Sequence, residues 1–301
     1  MEDSLLCPIC SVGGMPFTKR SSIDTTPQYM SCIKCKSIYA NRKATQGELL
    51  AHYSTYYSSE NLQIPDVAKN SLAKTVSTFS KFRTSNNTIC DIGFGAGAFL
   101  DAAEALSWEC AGSEYSADAI AIGRTRGWAV HQGDLTLKDL PGPYDVVTII
   151  ETLEHVQDPR ELLLSASVRI RSGGLLYGTT PNAGSINALL LKQEWSVITF
   201  PEHPILISKK ALRELLIESG FTKISIKSRG INPYDLISEC KNKLKPRGKS
   251  NKPDLGRVDF GYNLNSTFSK NLIMRTLKKI IMTFLGITNI GDSLVFSAVK
   301  I

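Results

Sequence analysis

The chain has 301 residues, 42% of them hydrophobic and 21% charged, with seven cysteines, four histidines and a formal net charge of +7. That length suffices for one sizeable core plus a small accessory module, and no internal repeat or long low-complexity segment interrupts it. No apolar run is long enough to cross a bilayer, which argues against a transmembrane protein, and the basic balance admits phosphate-bearing partners without requiring them.

In chain order, the first signal is a pair of Cys-x-x-Cys knuckles, Cys7-Pro8-Ile9-Cys10 and Cys32-Ile33-Lys34-Cys35, separated by 21 residues. Four thiolates at this spacing close a tetrahedral zinc site, so the metal is expected to hold structure rather than perform chemistry. A region of this size has little core of its own, and metal binding would supply most of its folding energy. Two disulfides are the alternative. Met1-Glu2-Asp3 does not read as a secretory leader, which favours zinc and a reducing cytoplasm. Cys90, Cys110 and Cys240 remain, and they are expected as buried free thiols.

The most informative run follows. Thr88-Ile89-Cys90 predicts a short buried strand, and Asp91 to Leu100 (DIGFGAGAFL) predicts a tight turn into a helix opening at Ala98. Gly93, Gly95 and Gly97 allow backbone amides to approach a ligand closely. On its own the loop also fits the dinucleotide fingerprint. The next strand, Glu109 to Ser113, ends at Glu114, where an acid accepts hydrogen bonds from ribose hydroxyls, a feature that NAD enzymes share. Trp128 to His131 leads to Gly133-Asp134, where Asp134 either meets a ligand or caps a turn.

Tyr144 to Ile150 (YDVVTII) predicts a central strand buried on both faces. Glu151-Thr152-Leu153-Glu154-His155 follows it. Asp158-Pro159-Arg160-Glu161 then carries a cap, a first-turn proline and an acidic third position, predicting a helix through Ile170 that stops at Gly173-Gly174. Leu175 to Asn182 reads as the next strand and its loop. Ser208 predicts a cap for a helix with Leu212, Leu215 and Leu216 on one face, ended by Gly220, and residues 291–300 read as a closing strand. The alternation implies a parallel sheet covered by helices on both faces, with a ligand at the carboxyl ends of the strands.

Asp91-x-Gly93-x-Gly95-x-Gly97 resembles motif I of class I S-adenosylmethionine (SAM) methyltransferases, and the ordered set of loop, Glu114, Asp134, Glu-His segment and Thr180-Pro181-Asn182 resembles that family across residues 88–228 and the final strand. The resemblance implies a Rossmann-like, doubly wound, mostly parallel seven-stranded α/β sheet. It places Asp91 at the methionine end of SAM, Gly93, Gly95 and Gly97 along the donor, Glu114 on its ribose, Asp134 on its adenine and Glu151 at the cofactor edge. Glu48 to Tyr53, followed by Tyr56 and Tyr57, resembles the linker of bacterial methyltransferases with an N-terminal zinc ribbon, a group associated with sugar and cell-surface polysaccharide modification. The implied organisation is a zinc ribbon over 1–40, a linker and helical cover over 41–80, and a SAM-binding domain over 81–301 with a substrate-covering insertion at about 229–290.

His155 and His203 are the candidate acid-base residues, because both fall in segments expected at the carboxyl edge of the sheet and an imidazole titrates near neutrality. Their alternative roles are a local cap and the ordering of a loop, with the prolines beside His203 expected to hold an extended segment. Glu151-x-x-Glu154-His155 with a later His203 also resembles the Mg-binding arrangement of ubiquinone-pathway O-methyltransferases and small-RNA 2′-O-methyltransferases, which implies a divalent ion and an acceptor with adjacent hydroxyls.

The expected activity is O-methylation of a sugar, nucleotide-sugar or polysaccharide precursor. An RNA methyltransferase, a dehydrogenase and a non-catalytic SAM-binding module are the rivals. The basic stretch from Lys241 to Lys252 reads as a solvated insertion or as a phosphate-attracting surface for a glycan carrier or nucleic acid. Residues 267–285 carry an amphipathic basic helix pattern that packs on its own domain or rests on an anionic membrane surface.

Overall fold

A computed structural model describes residues 6–19, 27–56, 66–133, 140, 142–232 and 287–301. Asp134, Tyr57, Cys240, the basic stretch 241–252 and the segment 267–285 lie outside the described residues, as do the side chains of Tyr53 and Tyr56.

Three short strands open the chain: β1 (Gly14–Pro16), β2 (Tyr29–Cys32) and β3 (Ile38–Ala40) pair antiparallel in that order. Two helices follow, α1 (Gln46–Tyr56) and α2 (Asp66–Ser77). Thr45 and Glu48 start α1 with a reciprocal capping box, the Thr45 amide donating to Glu48 Oε2 at 2.9 Å and the Glu48 amide to Thr45 Oγ1 at 3.2 Å.

The larger layer is built from β4 (Thr88–Ile92), α3 (Ala98–Glu104), β5 (Glu109–Glu114), α4 (Ala117–Thr125), β6 (Ala129–Gln132), β7 (Tyr144–Ile150), α5 (Pro159–Arg169), β8 (Ile170–Pro181), α6 (Ile186–Leu191), β9 (Ile205–Leu206), α7 (Lys209–Glu218), β10 (Phe221–Arg229) and β11 (Ser293–Lys300). Seven of these strands form one sheet in the order β10-β11-β8-β7-β4-β5-β6, in which β11 runs antiparallel to both neighbours and the other pairings are parallel. This is the expected doubly wound α/β sheet with an antiparallel last strand. The chain moves from β4 outward through β5 and β6, then returns to β7 on the other side. The switch point therefore lies between β4 and β7, and a crevice opens beyond their carboxyl ends.

Local chemistry explains the helix boundaries. Asp158 caps α5 by accepting from the Arg160 and Glu161 amides at 2.9 and 3.1 Å, with Pro159 in the first turn. Ser208 caps α7 by accepting from the Ala211 amide at 3.1 Å, and Gly220, at φ +79°, lets the chain leave it. One face of the sheet packs Val147, Ile149 and Leu176 against Leu162, Leu163, Leu212 and Leu216 of α5 and α7. The other packs Ile89 and Val146 against Phe79, Leu100 and Ile120.

Three local expectations are corrected. The helix from Pro159 ends at Arg169, and β8 begins at Ile170 without a turn, running through Gly173 and Gly174. The two glycines sit in an irregular stretch of strand, next to a register shift between Tyr144 and Val146 on the partner, because a glycine in a strand marks a bulge as readily as a stop. Cys110 is half-buried rather than buried, packed near the start of β5 with its thiol donating to the Leu100 carbonyl at 3.6 Å. The segment before His203 is a compact turn, its amide donating to the Thr199 carbonyl at 2.7 Å, and the chain becomes extended only at Ile205. β9 leaves the main sheet altogether and pairs with β3, giving the N-terminal sheet its fourth strand.

Candidate active site

The glycine-loop side of the crevice starts at Asp91, the penultimate residue of β4, which is 2% exposed. Thr148, from the neighbouring β7, donates its hydroxyl to Asp91 Oδ1 at 2.6 Å. Burial raises the Asp91 carboxyl to about 7, while the Thr148 hydrogen bond opposes that shift. Gly93, Gly95 and Gly97 all adopt positive φ, at 72°, 53° and 81°. A Cβ at Gly93 would stand 2.6 Å from Thr152 Oγ1, and one at Gly97 would stand 2.7 Å from the Trp128 ring, so the loop is closed to larger residues by both conformation and space. Glu114, at the end of β5, reaches over this loop. Its carboxylate accepts from the amides of Gly95 at 3.0 Å, Tyr115 at 2.7 Å and Ser116 at 3.3 Å.

Beyond β7 the chain turns sharply at Glu151, whose φ is +48° and whose amide donates to the Thr179 carbonyl of β8 at 2.9 Å. Glu154 is 1% exposed and accepts from the Thr180 hydroxyl at 2.9 Å. Burial and the neighbouring Glu151 charge push its carboxyl well above the usual range. His155 and His203 meet edge to face, with ring centroids 4.6 Å apart at 72°. Burial, with the His203 charge next, lowers His155 to about 4. The buried Nδ1 of His155 has no hydrogen-bond partner among the described residues. His203 Nδ1 lies 2.8 Å from the Val197 carbonyl and 3.1 Å from Thr199 Oγ1. A carbonyl only accepts, so this pairing assigns the ring proton to Nδ1 and leaves Nε2 as the basic nitrogen. One ligand atom each from Glu154, His155 and His203 falls within 4.8 Å of the others.

These three side chains line a cavity of about 420 Å³ together with Glu151, Trp195, Val197, Glu202, Arg229, Asn232 and Asp292. It opens at the carboxyl ends of β7, β8 and β10, one strand away from the glycine loop. Asp292 is held there by Asn187 Nδ2 at 2.8 Å and by the Asn232 amide at 2.6 Å. A separate cluster brings the Sγ atoms of Cys7, Cys10, Cys32 and Cys35 together, with Cys7 to Cys35 at 3.6 Å and Cys10 to Cys32 at 3.4 Å. Such separations exceed a disulfide bond and approach the roughly 3.8 Å edge of a tetrahedron with 2.3 Å metal–sulfur bonds. Cys35 is drawn down to about 4 by its contact with the Cys7 thiol, and Cys7 is pushed up by the same contact.

Residues 66–226, more than half of the chain, match the family described as a methyltransferase domain. The chain belongs to this family, that of the SAM-dependent methyltransferases. Among curated relatives of this methyltransferase are the mitochondrial ubiquinone biosynthesis O-methyltransferase of Schizosaccharomyces pombe, 28% identical over 60% of this chain and 67% of that one, and the ubiquinone biosynthesis O-methyltransferase of Nitrosomonas europaea, 26% identical over 51% and 71%. A Colwellia psychrerythraea protein of the same name is 29% identical over 34% of this chain, and the match spans less than half of that relative, 45%. Among solved structures, an Archaeoglobus fulgidus SAM-dependent methyltransferase is 18% identical over 84% of this chain and 99% of that one, with a TM-score of 0.49.

Of the expected site residues, the structure gathers Asp91, the three glycines and Glu114 on one side of the crevice and Glu154, His155 and His203 on the other, with Glu151 between them. Sequence reasoning on the methyltransferase assigned no role to Thr148, Thr152, Thr180, Trp195, Arg229, Asn232 or Asp292. Thr148 had a usable signal, the one polar residue inside the apolar run from Val146 to Ile150. Arg229 and Asp292 had none, since they converge only through the pairing of β10 with β11. Among the described residues, no helix is long and apolar enough to cross a membrane.

Proposed function

We propose that the protein transfers the methyl group of SAM to a hydroxyl of a small acceptor bearing adjacent hydroxyls, held in the 420 Å³ cavity. The observation that carries this reading is the convergence of Glu154, His155 and His203 within 4.8 Å, beside the donor crevice and not within it. In this reading Asp91 and the loop amides hold the methionine end of SAM, Glu114 accepts from its ribose, and Glu151 closes the edge between donor and acceptor.

The donor set fits a divalent ion such as Mg or Mn. It combines a carboxylate with two imidazoles, and the buried Nδ1 of His155 lacks any other partner among the described residues. An ion bound there would polarise the acceptor hydroxyls and lower their pKa. Thr180 orients Glu154, and Val197 fixes the His203 tautomer whose lone pair lies on Nε2. Trp195 and Val197 supply an apolar floor that excludes water, while Glu202, Asn232 and Asp292 offer hydrogen bonds suited to a sugar. A sugar or nucleotide-sugar acceptor in the cytoplasm is the first reading, with Arg229 placed to meet a phosphate. The names of the curated relatives favour a second, a polyphenol of the ubiquinone type. The four cysteines are assigned to structural zinc on the tetrahedral spacing of their sulfurs.

Calorimetric titration with S-adenosylhomocysteine and, separately, with MnCl2 tests both halves. Micromolar homocysteine-product binding, with Mn binding abolished in Glu154→Gln and His155→Ala, is expected. No product binding would overturn the donor site, and no Mn binding would overturn the metal-assisted route. Product release measured against nucleotide-sugars and catechols then separates the two acceptors.

A further inference from the structure

The cysteine-bearing sheet is not an appendage to the crevice. Its β3 pairs with β9, Ile38 opposite Leu206 and Tyr39 opposite Ile205, and the Ala40 amide donates to the Pro204 carbonyl at 2.9 Å. The Ser208 amide donates to Ser37 Oγ at 3.1 Å, and the Ser208 hydroxyl reaches the Cys35 carbonyl. Every residue from Pro204 to Leu206, together with Ser208, is thus tied to the module that precedes residue 41.

His203 stands at the head of this joint. Tyr29 of β2 is 2% exposed and donates its hydroxyl to the His203 carbonyl at 2.8 Å. Its ring packs in one cluster with Ile38, Leu206 and Trp195, and Trp195 also lines the acceptor cavity. The His203 ring is held at Nδ1 by Val197 and Thr199. The ring is therefore held by its own loop, while the main chain is held at its amide by the Thr199 carbonyl of that loop and at its carbonyl by Tyr29 of the N-terminal sheet.

We propose that the cysteine-bearing sheet braces the segment that carries His203 into the acceptor site, with Tyr29 as a positioning residue that sets His203 through the His203 main chain. The proposal rests on the function above only for what His203 does. A side chain that acts at a reacting or ligating atom tolerates little displacement, and partners one shell out from a ligand are worth about tenfold or more in metal affinity.

The test uses the full-length protein labelled at histidine, with the His203→Ala spectrum identifying the His203 ring signal. Tyr29→Phe removes one hydroxyl and keeps the ring that fills the core. It is expected to shift the His203 signal and weaken MnCl2 binding about tenfold, with zinc content and S-adenosylhomocysteine affinity unchanged. Ser37→Ala loosens the same joint at Ser208 and is expected to do the same more weakly, so it carries the test if Tyr29→Phe does not fold. An unmoved His203 signal in both variants would overturn the proposal, as would an equal loss of donor affinity, which would mark a global change. If the wild-type protein binds no Mn, the metal reading fails by itself and the His203 signal alone decides the positioning.

Discussion

The Glu114 carboxylate accepts a hydrogen bond from the Gly95 amide at 3.0 Å, so the acid at the end of β5 is fastened to the middle of the loop that follows β4. Helix α3 and strand β5 lie between the partners, 19 positions apart in sequence, and the bond closes the loop around the space where the donor is proposed to sit. Glu114→Ala would leave the amides of Gly95, Tyr115 and Ser116 without their acceptor and remove the proposed ribose contact. A charged hydrogen bond contributes about 2 kcal/mol, which corresponds to roughly a thirtyfold rise in the Kd of S-adenosylhomocysteine. Gly95→Val goes further, because a β-branched residue does not adopt the +53° φ of Gly95, and donor binding should vanish in calorimetry. Unchanged affinity in both variants would remove the donor site from this loop.

Asp91 gives the fold a pH dependence of a defined sign. Its carboxyl sits at about 7 in the folded chain against 3.8 as the ordinary value, chiefly through burial. Between those two values the folded state holds a proton that the unfolded chain has released. This contribution is fully present below pH 4 and is lost as pH rises through 7, on the order of a few kcal/mol. Asp91→Asn, neutral at every pH, should flatten the fall in melting temperature between pH 5 and 7.5. A slope equal to the wild type's would show that Asp91 is ionised in the fold throughout.

How far these positions were legible depends on the range of the interactions that set them. Asp158-Pro159 and Ser208 act within three residues, so their caps could be read from neighbours alone. The apolar run of β7 announced a central strand because burial on both faces leaves no polar alternation. The glycine loop was legible because positive φ restricts residue type. Ile205-Leu206 carried no such signal: two residues fix no period, and their partner, β3, lies some 165 positions earlier. The compact turn before His203 escaped for a related reason. Pro201 and Pro204 restrict local dihedrals, whereas the bond from the His203 amide to the Thr199 carbonyl that closes the turn leaves no mark on residue type, and the bonds from Tyr29 and Ala40 that hold its far end come from a separate sheet.

The four cysteines make a second stability prediction. Replacing Cys32 and Cys35 by Ser should release zinc, detectable by elemental analysis of the purified protein. Cys7, Ile9, Cys32, Cys35 and Tyr39 share a buried cluster with Leu212 and Leu216 of α7, so the loss should spread beyond the module. A cost of about 3 kcal/mol would lower the melting temperature by roughly 5 °C in a chain of this size. Full metal retention in the double variant would sink the four-thiolate assignment.

Glu151 tests whether the crevice stores strain. It is exposed, it is not glycine, and its φ of +48° places it in the left-handed region, which costs an ordinary side chain about 1–2 kcal/mol. Strain of this kind clusters at functional sites, and the Glu151 charge also opposes ionisation of Glu154. Glu151→Gly removes the strain and the like charge, at the expense of roughly 0.5–1 kcal/mol of extra freedom in the unfolded chain. The balance should raise the melting temperature by a degree or two while weakening S-adenosylhomocysteine and Mn binding. Glu151→Asn, which tolerates the left-handed region better than most residues, should fall between glycine and the wild type in stability and match glycine in binding. A variant that is less stable and still binds both ligands as the wild type does would show that Glu151 serves the fold of the β7 turn and not the site.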